Sequence, residues 1–197
     1  MLTQLSFRPM PSIAPPHRRA APLPPEARRA AIIDAVLPLL VTHGESVTTR
    51  QLAQAAGIAE GTIFNVFADK DELLAAAVAK ALDPEPFELA IGAISTSAPF
   101  EQRLTEATLL LQHRIVDVWR LVSSIGRREQ IEGPLPDSPA LTELFVSVRR
   151  HLSVEPGEAA RLLRALTLSL THPMLAASPA PAARIVDVFL HGVGRRR

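Results

Sequence analysis

Hydrophobic residues recur every three or four positions along most of this chain, which is the spacing of amphipathic helices. The first such segment begins at Glu26 and ends at Gly44, a residue type that commonly terminates helices. Its predicted apolar face consists of Ala30, Ile33, Leu37 and Leu40. Three shorter helices are predicted next: one between Thr48 and Gly57, one over residues 60–66, and one that begins at Asp69.

The helix at Asp69 has a recognisable N-terminal signal. The Asp69 carboxylate can cap the helix, while Glu72 can reach back and complete a capping box. This fourth helix extends to about Leu82, where a proline-flanked stretch marks a domain boundary.

The strongest periodicity lies in the second half of the chain and predicts a long helix. Its apolar stripe consists of Leu104, Thr108, Leu111, Ile115, Val118, Val122 and Ile125. A short helix is predicted before it, within residues 83–99, and another starts at Ser138-Pro139. The last two helices are predicted over 156–172 and 182–193. No alternation typical of strands occurs, so the predicted fold class is all-α.

Residues 1–25 contain seven prolines and no apolar period, which predicts a flexible arm. The arm is basic, with Arg8, Arg18 and Arg19. Two interpretations are open: a solvated tail, and an arm that enters the minor groove of DNA.

Composition narrows the function classes. The 197 residues are 47% hydrophobic and 21% charged, as in an ordinary globular protein. The net charge of +1 does not by itself indicate a nucleic-acid partner, although a local basic face is compatible with it. The absence of cysteine excludes disulfides and thiolate metal sites and suits the cytoplasm. No apolar run approaches the roughly 20 residues of a membrane span, and no signal peptide is expected.

The segment TTRQLAQAAGIAEGTIFNVFADKDEL, residues 48–73, has the properties of a helix-turn-helix over about residues 48–67. Ala53 is the small residue at which two crossing helices touch, and Gly57 tolerates the positive φ angle of the turn. Gly61 allows the second helix to approach DNA closely. The outward-facing polar residues, which suit phosphate oxygens, are Thr48, Thr49, Arg50, Glu60, Thr62 and Asn65.

This segment resembles the TetR family of bacterial transcriptional repressors. The family pattern, roughly TT..LA..AGI..GT.Y..F..K..L, is matched by Thr48, Thr49, Leu52, Ala53, Ala56, Gly57, Ile58, Gly61, Thr62, Phe64, Phe67, Lys70 and Leu73. The upstream RRAAIIDAVLPLLVTHG and the helical remainder of the chain agree with it. Three departures remove polar groups: Phe64 replaces the usual tyrosine, Val66 the usual histidine, and Ala59 a frequent capping serine.

The resemblance implies roles for the residues of this segment. The DNA backbone would be held by Thr48, Thr49, Arg50 and Lys70, and the base edges would be read by Glu60, Thr62 and Asn65, with Gly61 and Phe64 beside them. Glutamate accepts from cytosine N4, and threonine can contact a thymine methyl. The alternative is that Thr48 and Asp69 only cap helices and that Lys70 is a solvated charge.

The resemblance also implies a C-terminal cavity for a small-molecule effector of unknown identity. The candidate lining residues are Phe87, His113, Val116, Trp119 and Arg120. A core tryptophan beside surface polar groups is an equally good interpretation. No metal-ligand spacing, phosphate loop or nucleophile elbow is present, so no metal, cofactor or catalytic residue is predicted.

The last two helices carry more apolar surface than one chain of this size needs, which predicts a homodimer. The expected interface residues are Leu162, Leu163, Leu166, Leu170, Ile185, Val186, Phe189 and Val193. A two-fold axis would place two recognition helices about 34 Å apart on a palindromic operator. The alternative is that these side chains pack within one chain.

The sequence therefore predicts a homodimeric, effector-released repressor in the cytoplasm, associated with the nucleoid, and no enzyme. Residues 26–82 would bind double-stranded DNA, and residues 83–197 would bind the effector and dimerise. One alternative is an all-helical enzyme, against which the lack of any acid–base or metal cluster argues. The other is a helical ligand-binding protein with a degenerate DNA-reading face. Two observations favour that second alternative: the apolar side chains of Phe64 and Val66, and the near-neutral charge of residues 1–82, which contain eight Lys/Arg and seven Asp/Glu.

Overall fold

The computed structural model describes residues 24–126 and 136–193, which fold into helices joined by short connections. The helices are α1 (Pro25–His43), α2 (Thr49–Ala55), α3 (Glu60–Phe64), α4 (Lys70–Leu82), α5 (Glu85–Gly92), α6 (Phe100–Ser124), α7 (Pro139–Val146), α8 (Pro156–Ser169) and α9 (Ala182–His191). Single 3₁₀ turns lie at Gly44–Ser46 and Arg149–His151. These ranges contain no strand, and the prediction of an all-α fold is confirmed. The predicted arm lies outside the described residues except for its last two, of which Pro25 opens α1.

The buried face of helix α1 overlaps the predicted one only in part. Its buried residues are Ile32, Ile33, Val36 and Leu40, whereas Ala30 is exposed and Leu37 is only half-buried. The prediction was right for Ile33 and Leu40, right only in part for Leu37, and wrong for Ala30. Helix α1 packs against α2, α4 and α6 together, so its buried face serves three neighbours at once.

Gly44 ends α1 as predicted, with a φ angle of 58°. A side chain at this position would also collide with the carbonyl oxygen of Ser124, at the last turn of α6. In the same place the Ser124 hydroxyl donates to the carbonyl of Leu40 at 2.9 Å. The end of α1 is therefore joined to the end of α6 by close backbone contact as well as by a hydrogen bond.

Two hydrophobic cores share the long helix α6. The first core is built from α1 to α4 and also receives Leu121, Val122 and Ile125 from the C-terminal end of α6. The second core is built from α5, α7, α8 and α9 around Leu104, Ala107 and Leu111, nearer the N-terminal end of the same helix. Helix α6 therefore contributes buried side chains to both cores.

Helices α8 and α9 are shorter than their sequence predicts. Helix α8 ends at Ser169, and α9 at His191. The connection after α8 leaves the helical path because Ala180 donates to the carbonyl of Leu170 at 2.9 Å. The buried Gln112 of α6 reinforces this loop, since its amide donates to the Thr171 hydroxyl at 3.0 Å and to the Ala180 carbonyl at 2.8 Å. None of the described helices combines the length and apolarity needed to cross a membrane.

Candidate nucleic-acid interface

Helices α2 and α3 form the helix-turn-helix that the sequence predicts. The Thr48 hydroxyl accepts from the Gln51 backbone N–H at 3.3 Å, and the Gln51 side chain accepts from the Thr48 N–H at 2.8 Å, so Thr48 caps α2 with a complete capping box. Gly57 has a φ angle of 66° in the turn, and Ile58 donates to the carbonyl of Ala53 at 3.0 Å. These local bonds fix the angle between the two helices.

Helix α3 is shorter than the predicted 60–66. It ends at Phe64, and the N–H groups of Val66 and Phe67 both bond to the carbonyl of Ile63, at 2.9 and 2.8 Å. The carbonyl of Val66 is taken instead by the Arg29 guanidinium at 3.1 Å. The helix stops because the Val66 N–H bonds only three residues back, to the Ile63 carbonyl, which tightens the last turn, and Arg29 on α1 then binds the turn that follows.

An exposed polar face crosses the first turns of α2 and α3. The side chains of Arg50, Glu60 and Asn65 are exposed, and those of Thr49 and Thr62 are half-buried. Within the described residues, none of these five side chains makes a hydrogen bond or an ion pair. Gly61 and Phe64 lie on the same surface, and the Phe64 ring is 50% exposed. This surface therefore presents free donors and acceptors around one aromatic ring, which suits phosphate oxygens and base edges.

Lys70 and Thr48, also predicted to contact DNA, have partners within the protein. The Lys70 ammonium donates to the carbonyl of Glu45 at 2.5 Å, which uses one of its three N–H groups and holds the side chain at the N-terminus of α4. Asp69 caps this helix as predicted, by accepting from the Glu72 N–H at 2.7 Å. The carboxylate of Glu72 was predicted to complete a capping box at Asp69. It accepts instead from the N–H of Ala68, one residue earlier, at 2.6 Å.

Arg29 is a residue of this region that sequence reasoning missed. Its guanidinium pairs with the Glu72 carboxylate at 2.9 Å and lies 4.3 Å from the centre of the Phe67 ring. The Ala68 N–H and then Arg29 lower the pKa of Glu72 below its ordinary value. Arg29, Glu72 and the carbonyl of Val66 thus form a clamp across the turn between α3 and α4. The sequence shows Arg29 only as one more basic residue near the arm, because its partners lie far along the chain.

The residues predicted to line an effector cavity are not brought together. A groove of about 480 Å³ lies between α1, α4, α5 and α6, and only Phe87 of the predicted set lines it. His113 and Arg120 are exposed, and Val116 is half-buried on the same side of α6. Trp119 instead contacts the His172 ring edge-on, with 4.4 Å between ring centres. The groove takes other residues of α6, among them Arg114 and Asp117, which periodicity alone does not single out.

The predicted dimer residues also occupy different environments. Leu163, Ile185 and Val186 are fully buried in the protein's own core. Phe189 packs 5.7 Å from the Phe145 ring, measured between ring centres. Leu166 and Leu170 are half-buried, and only Leu162 and Val193 are clearly exposed, at 48% and 91%.

Comparison with known proteins identifies this arrangement. A sequence profile of the family described as "Bacterial regulatory proteins, tetR family" matches residues 32–77, which contain the whole helix-turn-helix and most of α4. This match covers the DNA-binding segment of the chain, 46 of its 197 residues. The chain is a DNA-binding transcriptional regulator. Proteins of the TetR family bind operator DNA and small-molecule ligands, and they are in general not enzymes.

Solved structures of TetR-family regulators share the fold along most of the chain. LfrR from Mycobacterium smegmatis, solved in complex with proflavine, is 22% identical with a TM-score of 0.52, over 86% of this chain and 99% of its own. FadR from Thermus thermophilus, a repressor solved with lauroyl-CoA, is 18% identical with a TM-score of 0.52, over 86% and 96%. PfmR, also from Thermus thermophilus, is 20% identical with a TM-score of 0.53, over 85% and 98%. At these sequence identities, the similarity shows a shared fold.

The structure shows what two of the residues that depart from the TetR-family pattern do. Phe64 keeps an exposed ring but has no hydroxyl, and Val66 contributes its backbone carbonyl to the Arg29 clamp. Within the described ranges, no group of three or more His, Cys, Asp or Glu side chains is arranged to hold a metal ion.

Proposed function

We propose that this TetR-family regulator is a repressor that binds a palindromic operator as a homodimer and is released by a small molecule. The observation that carries the proposal is the exposed polar face of α2 and α3, whose five side chains have no partner among the described residues. Unpaired polar groups at a protein surface do not reduce the stability of the fold, because water hydrates them. They therefore remain available to pair with a polar ligand. Residues 26–82 would bind DNA, and residues 83–197 would bind the effector and dimerise, in the cytoplasm at the nucleoid.

The proposed contacts follow from the position of each side chain. Thr49, Arg50 and the two free N–H groups of Lys70 would bind phosphates at the edges of the face. Glu60, Thr62 and Asn65, on and just after the short helix α3, would reach base edges in the major groove. The exposed Phe64 ring would contact a thymine methyl or a sugar, where a hydroxyl is not needed.

The dimer would form through apolar side chains exposed near the C-terminal helices. Leu162 on α8 is 48% exposed, Met174 and Leu175 in the following loop are 69% and 63% exposed, and Val193 is 91% exposed. Large apolar side chains that cluster at the surface commonly mark interfaces. The buried members of the predicted set, such as Leu163, would support this surface from within.

Selection from a library of random DNA duplexes tests the proposal directly. The expected result is enrichment of an inverted repeat whose half-sites are one helical turn apart, and binding of that duplex by a dimer in light scattering. Glu60→Ala should change the preferred base at one position per half-site, by about 1–3 kcal/mol. Recovery of no enriched sequence would contradict a DNA-binding function and favour a ligand-binding protein with a degenerate reading face.

A further inference from the structure

Among the residues that the structure describes, the groove between the two cores is lined by apolar side chains and by one cation. Leu37 and Val41 of α1, Phe87 of α5 and Val118 of α6 form much of its surface. Its volume of about 480 Å³ lies within the range of small-molecule sites. The charged groups on its wall are Arg114, which is half-buried, and Asp117, which is exposed to solvent.

Arg114 binds the C-terminal end of α4 from this groove. Its guanidinium donates to the carbonyl of Leu82 at 2.7 Å and to the carbonyl of Asp83 at 2.8 Å. The last carbonyls of a helix have no partner within the helix and carry partial negative charge, so a cation there stabilises the helix end. Arg114 therefore caps the C-terminal end of α4, as Asp69 caps its N-terminal end.

The two carbonyls are weaker partners for Arg114 than an anion would be. No carboxylate within the described residues forms an ion pair with its guanidinium. Burial lowers the pKa of Arg114 below the usual range, the charge of Arg164 acts in the same direction, and the nearby charges of Asp83 and Glu88 oppose this shift only in part. A guanidinium binds a carboxylate with two parallel, charge-assisted hydrogen bonds, which are about twice as strong as neutral ones. An anion that entered the groove would compete with the carbonyls for Arg114.

We propose that the groove binds an organic anion with an apolar body, and that the anionic group draws Arg114 away from the end of α4. This inference rests on the proposed function, for which it names the effector class and the coupling residue. Release of the Leu82 and Asp83 carbonyls loosens the last turn of α4. The first turn of the same helix holds Lys70 and the Arg29 clamp, so the change at one end reaches the DNA-binding surface at the other.

Calorimetry on the protein without DNA tests the binding step, with decanoate as the probe and decan-1-ol as its uncharged counterpart. We expect saturable binding of decanoate with a Kd below about 1 mM and binding of decan-1-ol at least about tenfold weaker. Arg114→Gln should weaken decanoate binding by about tenfold or more. The matched control is Arg150→Gln, which removes an exposed arginine outside the groove and should leave decanoate binding unchanged.

Two further variants keep the test decisive if Arg114→Gln does not fold. Arg114→Lys retains the charge but not the paired hydrogen bonds, so decanoate should bind more weakly than to the unmodified protein. Asp117→Asn removes a like charge from the wall and should strengthen decanoate binding about 2–5-fold. The absence of saturable binding, equal affinity for decanoate and decan-1-ol, or equal affinity of the folded Arg114 variants and the unmodified protein would overturn the proposal.

Amide hydrogen exchange tests the coupling step. Decanoate should accelerate exchange over residues 79–83 at the end of α4 in the unmodified protein, whereas decanoate binding without that acceleration would overturn the role of Arg114 in coupling. Both measurements use the protein alone. A failure to bind any operator would therefore contradict the proposed function but would not change the calorimetry and exchange results. A failure of decanoate to bind would contradict this inference but not the DNA-binding function.

Discussion

The substitution Arg50→Gln should make the slope of log K against log salt for operator binding shallower by about 1.8. Among the described residues, Arg50 and Lys70 are the two cations of the proposed DNA contact, so a dimer would neutralise four phosphates through them. Each neutralised phosphate contributes about −0.9 to the slope of log K against log salt, which gives a slope of about −3.6. Between 50 and 200 mM salt, the affinity would fall by about 150-fold. The variant loses two of the four contacts, so its slope becomes about −1.8 and its affinity falls by only about 12-fold.

Fluorescence anisotropy with a labelled operator at several salt concentrations measures both slopes. Lys80→Gln is the matched control, because Lys80 lies at the far end of α4 and pairs with Asp34 at 2.7 Å, away from the polar face. Any phosphate contact of residues 1–23 adds equally to all three proteins, so the difference of about 1.8 between the slopes is preserved. Identical slopes for the unmodified protein and Arg50→Gln would refute the assignment of Arg50 to phosphate.

Three further predictions concern association and stability. Leu162→Asp should yield a folded monomer in light scattering, whereas Leu163→Asp should lower the melting temperature sharply; a folded dimer for both variants would contradict the proposed surface. Gly44→Ala should lower the free energy of unfolding by about 2–5 kcal/mol in urea titration, since both its φ angle and the Ser124 carbonyl oppose a side chain. Because the pKa of Glu72 is lowered on folding, its contribution to stability is present above its unfolded pKa and is lost as the pH falls through the folded one. Glu72→Gln should therefore flatten the melting curve against pH in that acidic window, and an unchanged curve would contradict the clamp.

The helix-turn-helix could be predicted from the sequence because its determinants are local. Thr48 caps through a residue three positions away, Asp69 does the same, and Gly57 acts through its own φ angle. Each of these signals lies within one turn of the backbone that it controls. Sequence reasoning therefore placed the start of each helix here almost to the residue.

The groove and the clamp could not be predicted, because their determinants are distant in the sequence. Arg114 meets carbonyls 31 and 32 residues away, and Arg29 meets Val66, 37 residues away. The periodicity of α6 shows which stripe is most apolar, but not which neighbours cover the remaining faces. His113 and Arg114 are adjacent in the sequence, yet one faces solvent and the other faces α4 and α5. For the same reason, the sequence does not show that Leu162 is exposed whereas Leu163 is buried.

The sharing of α6 between two cores constrains how regulators of this kind can be recombined. A chimera joined at the connection between α4 and α5 would receive a foreign last turn of α6, and the recipient core would lose its matched Leu121, Val122 and Ile125. Three mismatched side chains in a close-packed interior cost several kcal/mol, which is comparable to the stability of a small domain. The natural unit of exchange is therefore discontinuous: the DNA-binding helices must be transferred together with the distal end of a helix that lies some 40 residues further along the chain.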